Sequence, residues 1–181
     1  MIDEISDKPT PTYFHHYRTV NAQLDRVILL TGMFLQENGY RYIPVGASQS
    51  INTDGWNYTG RYSSRKIAVM SGLGTIGKNS MFIHEKYGPA VRLGTLFTDC
   101  VLEKENDYEA KDICKNCMIC VNACPASAIK GVSWNETRTR NDMLLPEKCS
   151  NYMKNHFKDV GRGAVCGICL KVCPMRNLSK R

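Results

Sequence analysis

Cys114-Lys-Asn-Cys117-Met-Ile-Cys120-Val-Asn-Ala-Cys124-Pro125 decides how this chain is read. Its spacing, C-x₂-C-x₂-C-x₃-C-P, is the bacterial run that wraps [4Fe–4S] clusters, and its fourth cysteine serves the other cluster when two are present. A shorter run follows at Cys166-Gly-Ile-Cys169-Leu-Lys-Val-Cys173-Pro174. Gly163 stands where its first cysteine would be, and Cys149 upstream is free to supply that thiolate. Crossed wiring then groups Cys114, Cys117, Cys120 and Cys173 around one cluster, and Cys124, Cys149, Cys166 and Cys169 around the other. Of the nine cysteines only Cys100 is left over. The pattern predicts two [4Fe–4S] clusters and a chain that handles electrons.

The two runs also share an inner Ile and the trailing Cys-Pro, which suggests two copies of one unit. Each C-x-x-C suits a loop whose amides turn towards sulfur, and each Cys-Pro is expected to open a short helix, because Pro suits the first helical turn. Structural zinc and disulfides are the competing readings. Zinc sites usually pair two C-x-x-C units and do not ask for a third cysteine in phase followed by Cys-Pro.

The chain has 181 residues, enough for one good core or a modest core beside a cluster module. Its N-terminus is acidic, without the apolar segment of a secretory signal, and no stretch has the apolar length that spans a bilayer. Many thiols without a signal imply a reducing cytoplasm. The net charge of +7 is uneven: residues 1–129 carry 13 basic and 13 acidic side chains, residues 130–181 carry 11 and 4. The surplus sits where two clusters, each about −2 with its thiolates, would need compensation. The other reading is a patch for an acidic partner such as RNA.

Residues at helical spacing (Val20, Leu24, Val27, Ile28, Thr31, Phe34, Leu35) predict a long helix from Tyr13 to Asn38 with a buried stripe, stopped at Asn38-Gly39. Tyr40–Val45 reads as a short strand, an edge because of Pro44. Residues 46–60 form a polar loop, longer than connections usually are and therefore a functional candidate. Ser63 or Ser64 caps a second helix ending at Met70. Strands are expected at Ser80–His84 and Val91–Thr98 with a turn at Gly88-Pro89. Residues 103–112 read as an acidic surface linker, residues 131–148 as irregular, and Cys149 as the start of a helix.

Gly72-Leu-Gly-Thr-Ile-Gly-Lys-Asn79 imitates two nucleotide motifs and satisfies neither. As a P-loop it lacks the final Ser/Thr, because Asn79 stands there. As a dinucleotide fingerprint it lacks the preceding strand. What remains is a glycine turn that lets backbone approach something large, with Lys78 beside it.

This block, the hairpin running to Leu93-Gly-Thr-Leu-Phe-Thr-Asp99, and the two cysteine sets in this order resemble the epoxyqueuosine reductases and their relatives, the corrinoid-dependent reductive dehalogenases. The resemblance covers about residues 13–181. It implies an α+β protein: a partial nitroreductase-like α/β portion over residues 1–110, followed by a ferredoxin-like two-cluster module over 111–181. It implies cobalamin beside the clusters, with Ser48, Gly72, Gly74, Gly77, Lys78 and Asn79 along the corrinoid. Electrons would pass through the clusters to cobalt, and Co(I) would reduce the substrate.

The chain also departs from that family's pattern. Only twelve residues precede Tyr13, where family members carry a substantial stretch, and eight follow Cys173, where some add a tRNA-binding repeat domain. The family's acidic proton donor beside a Tyr-His pair is absent, since no Asp lies between Tyr13 and Asp25. Tyr13, His15 and Tyr17 are the candidates to replace it. The expectation is a cobalamin-dependent reductase in the cytoplasm. Its electron donor is a flavodoxin- or ferredoxin-like protein, and its substrate a tRNA or a small molecule. It has no membrane partner, and a homo-oligomer would complete the pocket. The alternatives are a non-enzymatic electron carrier and one piece of a split reductase.

Overall fold

Thr10-Pro11 starts the longest element. In the computed structural model, which describes residues 2–51, 55, 57–103 and 111–176, the Thr10 hydroxyl accepts from Tyr13 N–H at 3.1 Å and Pro11 takes the first helical turn. Helix α1 then runs Pro11–Glu37 and ends where Asn38-Gly39 was expected to end it. Strand β1 (Tyr42–Val45) follows, then α2 (Ser64–Met70), capped by Ser63, which accepts from Lys66 N–H.

The glycine stretch is itself part of a strand pair. Strand β2 (Gly74–Ile76) turns through residues 77–81 into β3 (Phe82–His84), antiparallel with Gly74 opposite His84. Strand β4 (Thr95–Thr98) does not pair with β3, so the expected hairpin across Gly88-Pro89 is corrected. It returns to β1 instead, with Tyr42 opposite Thr98 and Val45 opposite Thr95. The reason is local: the strand within the glycine stretch carries no strand signal, because Gly weakens strand propensity wherever it stands. Gly74 has φ +152°, and a Cβ there would sit 2.2 Å from the Ile83 carbonyl oxygen. Only glycine lets the two strands meet.

The two small sheets are too narrow to cover a helix of 27 residues. Of the expected stripe, Ile28 is buried and Leu24 and Leu35 are half-buried, whereas Val27, Thr31 and Phe34 are exposed. Gly32 allows the Tyr42 ring to lie against the helix, and Gly94 does the same for Ile28. Asp25 Oδ1 accepts from Ala47 N–H at 2.7 Å, tying the loop after β1 to α1. That loop closes on itself through the Ile51–Thr59 bridge.

The cysteine-bearing region has little regular structure. Helices α3 (Ile119–Asn122) and α6 (Ile168–Lys171) are four residues each, occupy equivalent places in the two runs and pack together. The α-helical turns precede each Cys-Pro, where the carbonyls of Ile119 and Ile168 close them, and Pro174 opens a short 3-10 turn as expected. Beyond Cys124-Pro125 there is only a turn, and beyond Cys173-Pro174 a single 3-10 turn. Between the runs lie α4 (Arg140–Met143) and α5 (Pro146–His156), so the region expected to be irregular is partly helical. Helix α5 begins three residues before Cys149 because Pro146 opens its first turn. Most of the linker expected over 103–112 lies outside the described residues.

Three apolar clusters hold these pieces together. Ile5 and Tyr13 pack with Phe157, Val160, Val165 and Ile168, which joins the first residues of the chain to the second cysteine run. Ala128, Ile129 and Leu144 pack around Cys120, and Ala68, Val69 and Phe82 form the third cluster with Trp134 against it. No helix among the described residues is long and apolar enough to cross a membrane. Replacing Gly74 by Ala should destabilise the chain by about 2–4 kcal/mol, from the left-handed φ and the clash with Ile83. Chemical denaturation of the cluster-loaded protein checks this, and a loss below about 0.5 kcal/mol, the scale of an ordinary surface change, would refute the close approach.

Candidate metal centre and adjoining cavity

All nine cysteines are free thiols, with Cys120 buried and the rest half-buried. Burial raises the thiols of Cys114, Cys120, Cys149, Cys166, Cys169 and Cys173, those of Cys120 and Cys149 to about 11. A further cause, after burial, is each other's charge, and it sorts the cysteines. Cys120 feels Cys114, Cys173 and Cys117, while Cys173 feels Cys114 and Cys117. Cys149 feels Cys166 and Cys124, and Cys169 feels Cys166, Cys149 and Cys124, with Cys120 also within range. The chain thus brings Cys173 to the first run and Cys124 and Cys149 to the second, while Cys100, two residues past β4, is a neighbour in neither set.

Thiolates packed this way repel one another, and a metal cation stabilises them. Among the described residues no three His, Cys, Asp or Glu side chains converge tightly enough for a single ion. Tetrahedral zinc at about 2.3 Å from each sulfur would draw the sulfurs to within about 4 Å of one another. A four-iron cube receives one thiolate at each iron corner, a wider arrangement that suits these neighbours. Backbone amides also face sulfur: Ala128 N–H donates to Cys124 Sγ at 3.4 Å, Ile168 N–H to Cys166, and Met175 N–H to Cys173.

Gly163, the residue at the vacant cysteine position, has φ +70°, and a Cβ there would lie 2.6 Å from Lys154 Cα and from the Met153 carbonyl oxygen. Helix α5 occupies the space a side chain would need. The same helix carries Cys149, so the element that excludes a cysteine at 163 supplies one in its place.

The glycine loop, far from the cysteines in sequence, packs on them. Lys78 N–H donates to Cys114, and a Cβ on Gly77 would lie 3.5 Å from Cys114 Sγ. Lys78 Nζ donates to the Lys115 carbonyl at 2.6 Å and lies 3.7 Å from Met118 Sδ. Asn79 Nδ2 donates to the Cys169 carbonyl at 3.3 Å, and Thr75 Oγ1 to the Lys111 carbonyl at 3.0 Å. Lys78 and Asn79 are nearly fully buried, at 6% and 2% exposure.

A cavity of about 1030 Å³ adjoins the module, at the upper end of small-molecule sites. Helix α1 lines it with Tyr13, His16, Tyr17 and Val20, the i, i+3, i+4, i+7 positions of one face. Ser48 lines it as well, within the segment Gly46–Ser50. Gly72, Gly74, Gly77, Lys78 and Asn79 do not line it, nor does His15, which is exposed on α1. His16 takes the place on the cavity wall. Arg65, Arg92 and Arg140 had no signal in the sequence, since they come from three separate segments.

The two phenols on this wall are pushed apart. Burial raises Tyr13 to about 12, with Arg92 opposing and Cys169 and Cys166 assisting. Burial alone would raise Tyr17 too, but the Arg92 guanidinium, with hydrogen bonds from Ser48, Asn21 and Arg92, brings it below the usual phenol range. Arg92 stacks on the Tyr17 ring, 4.5 Å from its centroid, and donates through Nε to Asn21 Oδ1 at 2.8 Å. Tyr13 also reaches the metal centre, since a Cβ on Gly167, between Cys166 and Ile168, would sit 2.9 Å from Tyr13 Oη.

Residues 113–176 match the family model of the 4Fe-4S double cluster binding domain. The chain is 31% identical over 166 residues to the tetrachloroethene reductive dehalogenase of Dehalobacter restrictus, covering 84% of this chain and 27% of that protein. It is 31% identical over 125 residues to the epoxyqueuosine reductase of Staphylococcus aureus, covering 64% of this chain and 30% of that one. An epoxyqueuosine reductase solved with an epoxyqueuosine-modified tRNA-Tyr stem loop superposes with a TM-score of 0.57 at 22% identity, over 97% of this chain and 46% of the other. The chain is epoxyqueuosine reductase-like. Its matched domain implies two [4Fe–4S] clusters held by residues 113–176. It spans about a third or less of the length of these curated relatives.

Gly163→Cys in this epoxyqueuosine reductase-like chain should not yield a spare ligand. The φ of +70° and the contact with α5 should destabilise it by about 2–4 kcal/mol. Combined with Cys149→Ala, it should fail to restore iron content. Recovery of full iron in the double variant would show that the position accepts a thiolate.

Proposed function

We propose that this chain passes electrons through its two clusters into a corrinoid held in the 1030 Å³ cavity, where a substrate is reduced. The observation that supports this best is Tyr13, which lines the cavity on one side and feels Cys166 and Cys169 on the other. One side chain separates the cavity from the second cysteine set. A bound corrinoid would supply low-valent cobalt able to deliver two electrons.

Cys114, Cys117, Cys120 and Cys173 hold one cluster, and Cys124, Cys149, Cys166 and Cys169 the other. Lys78 and Asn79 brace the two sets through the carbonyls of Lys115 and Cys169, and Gly77 lets the loop approach Cys114. Ser48 orients Tyr17. Of the two phenols, Tyr17 is the proton donor, because Arg92 stabilises the phenolate left when the proton departs. Tyr13 stays protonated and excludes water between the cavity and the cysteines. Residues before the cysteine module form part of a nitroreductase-like fold. The tRNA stem loop bound by the solved relative supports an RNA substrate, as does the basic surplus over residues 130–181. A flavodoxin- or ferredoxin-type donor in the cytoplasm would reduce the clusters, and a homo-oligomer would enclose the cavity further.

Anaerobic reconstitution should yield about eight irons per chain. Cys149→Ala should impair the same cluster as Cys166→Ala, read by paramagnetic resonance of the reduced protein, while Cys100→Ser leaves both signals intact. Two intact four-iron signals in the Cys149 variant would overturn the ligand assignment. Added cobalamin should give base-off corrinoid absorbance beside the iron–sulfur bands. Its absence in every assembly state would favour the electron-carrier reading. Tyr17→Phe should lower turnover about 10²-fold or more without altering the cluster signals, and unchanged turnover would remove Tyr17 from the chemistry.

A further inference from the structure

We infer that Arg65, Arg92 and Arg140 form a phosphate-binding subsite in the wall of the cavity. The inference rests on the cavity being the ligand site, as proposed above, but not on which cofactor fills it. Among the described residues, four arginines and a single carboxylate, Asp3, line that cavity. Asp3 is engaged by Arg176 and by Lys171, whose Nζ lies 3.8 Å from Oδ1. Three guanidinium groups remain, and among the described residues no carboxylate pairs with them.

Elsewhere the chain pairs arginine with acid even at the surface, as Arg41 does with Asp99 at 2.8 Å. In the cavity it places like charges near each other: burial pulls Arg65 down to about 10, with Arg140 and Arg92 as the further causes. Arg65 and Arg140 are half-buried and Arg92 is exposed on the cavity wall; cations gathered there without a carboxylate repel one another unless something of opposite charge joins them. That something comes from outside the described chain.

The donors are already oriented. Arg65 spends one terminal nitrogen on the Ser80 carbonyl, and Arg92 spends Nε on Asn21 while its plane rests on Tyr17. Each guanidinium has five N–H donors, so both keep free donors. Planar forks match phosphoryl oxygens two at a time, and several together suit a phosphate better than one carboxylate. Two ligand types share this chemistry: the phosphodiester of a corrinoid's nucleotide tail and the backbone of an RNA. Either brings a phosphodiester to the same three arginines.

The test uses the anaerobically reconstituted chain and inorganic pyrophosphate as probe, by calorimetry at low salt. Arg140→Gln should weaken pyrophosphate about tenfold or more, from the loss of charge-assisted hydrogen bonds. Arg140→Lys should recover only part of it, because the fork is lost. Arg41→Gln, at the surface, should leave affinity unchanged. Cluster absorbance serves as the folding check. Pyrophosphate binding that is undetectable, or equal in wild type and Arg140→Gln, overturns the subsite. Comparing cobalamin, cobinamide (the same corrin without the phosphate-bearing tail) and an RNA stem loop assigns the source. Weakening of cobalamin but not cobinamide by Arg140→Gln identifies the cofactor tail, whereas weakening of RNA alone identifies the substrate backbone. If pyrophosphate binds through Arg140 but no corrinoid binds, the corrinoid reading falls and the subsite stands. If cobalamin binds indifferently to Arg140 and pyrophosphate does not bind, the reverse holds.

Discussion

Crowded sulfur is the constraint on which the rest of the structure depends. Six of the cysteine thiols are made harder to ionise by their burial and, after it, by the charge of neighbouring cysteines. Four-iron clusters relieve that repulsion by binding the thiolates of residues 113–176. Regular secondary structure there is limited to short helices and α5. Apolar packing around Cys120 and amide bonds to sulfur set the geometry instead.

The rest of the chain is arranged against that centre. The glycine loop reaches across from the α/β portion with an amide to Cys114 and a buried side chain to each run. The N-terminal residues close from the other side, since Ile5 and Tyr13 share a cluster with Phe157 and Ile168. Tyr13 therefore belongs both to a core and to the cavity wall. A side chain in both places couples the position of the cavity to the packing of the second cysteine run.

The cavity itself shows a division of labour by charge. Arg92 does two things at once: it stacks on Tyr17 and holds that phenol below its usual range, and it stands with Arg65 and Arg140 in a carboxylate-poor wall. Tyr13, one helical turn away and nearer the cysteines, is driven the opposite way. Neighbouring groups of one chemical type thus acquire different protonation behaviour from their surroundings alone.

Spacing was sufficient for the cysteine runs, the helix stop at Asn38-Gly39 and the Ser63 cap, because each depends on residues adjacent in the chain. The face of α1 carrying Tyr13 and Tyr17 was likewise visible, since helical period puts them together. Other features required long-range contacts. Gly74 reads as a turn until Ile83 is placed against it, and the glycine loop reads as a ligand cradle until Lys78 meets the Lys115 carbonyl and Asn79 that of Cys169. Val27 and Phe34 read as buried until the sheets prove too narrow. Arg65, Arg92 and Arg140 share no period or motif. The sequence by itself determined the cluster chemistry, because ligand spacing is a local property of the chain. Tertiary structure decided what surrounds that chemistry, because burial and electrostatic neighbourhood arise only when distant segments share one space.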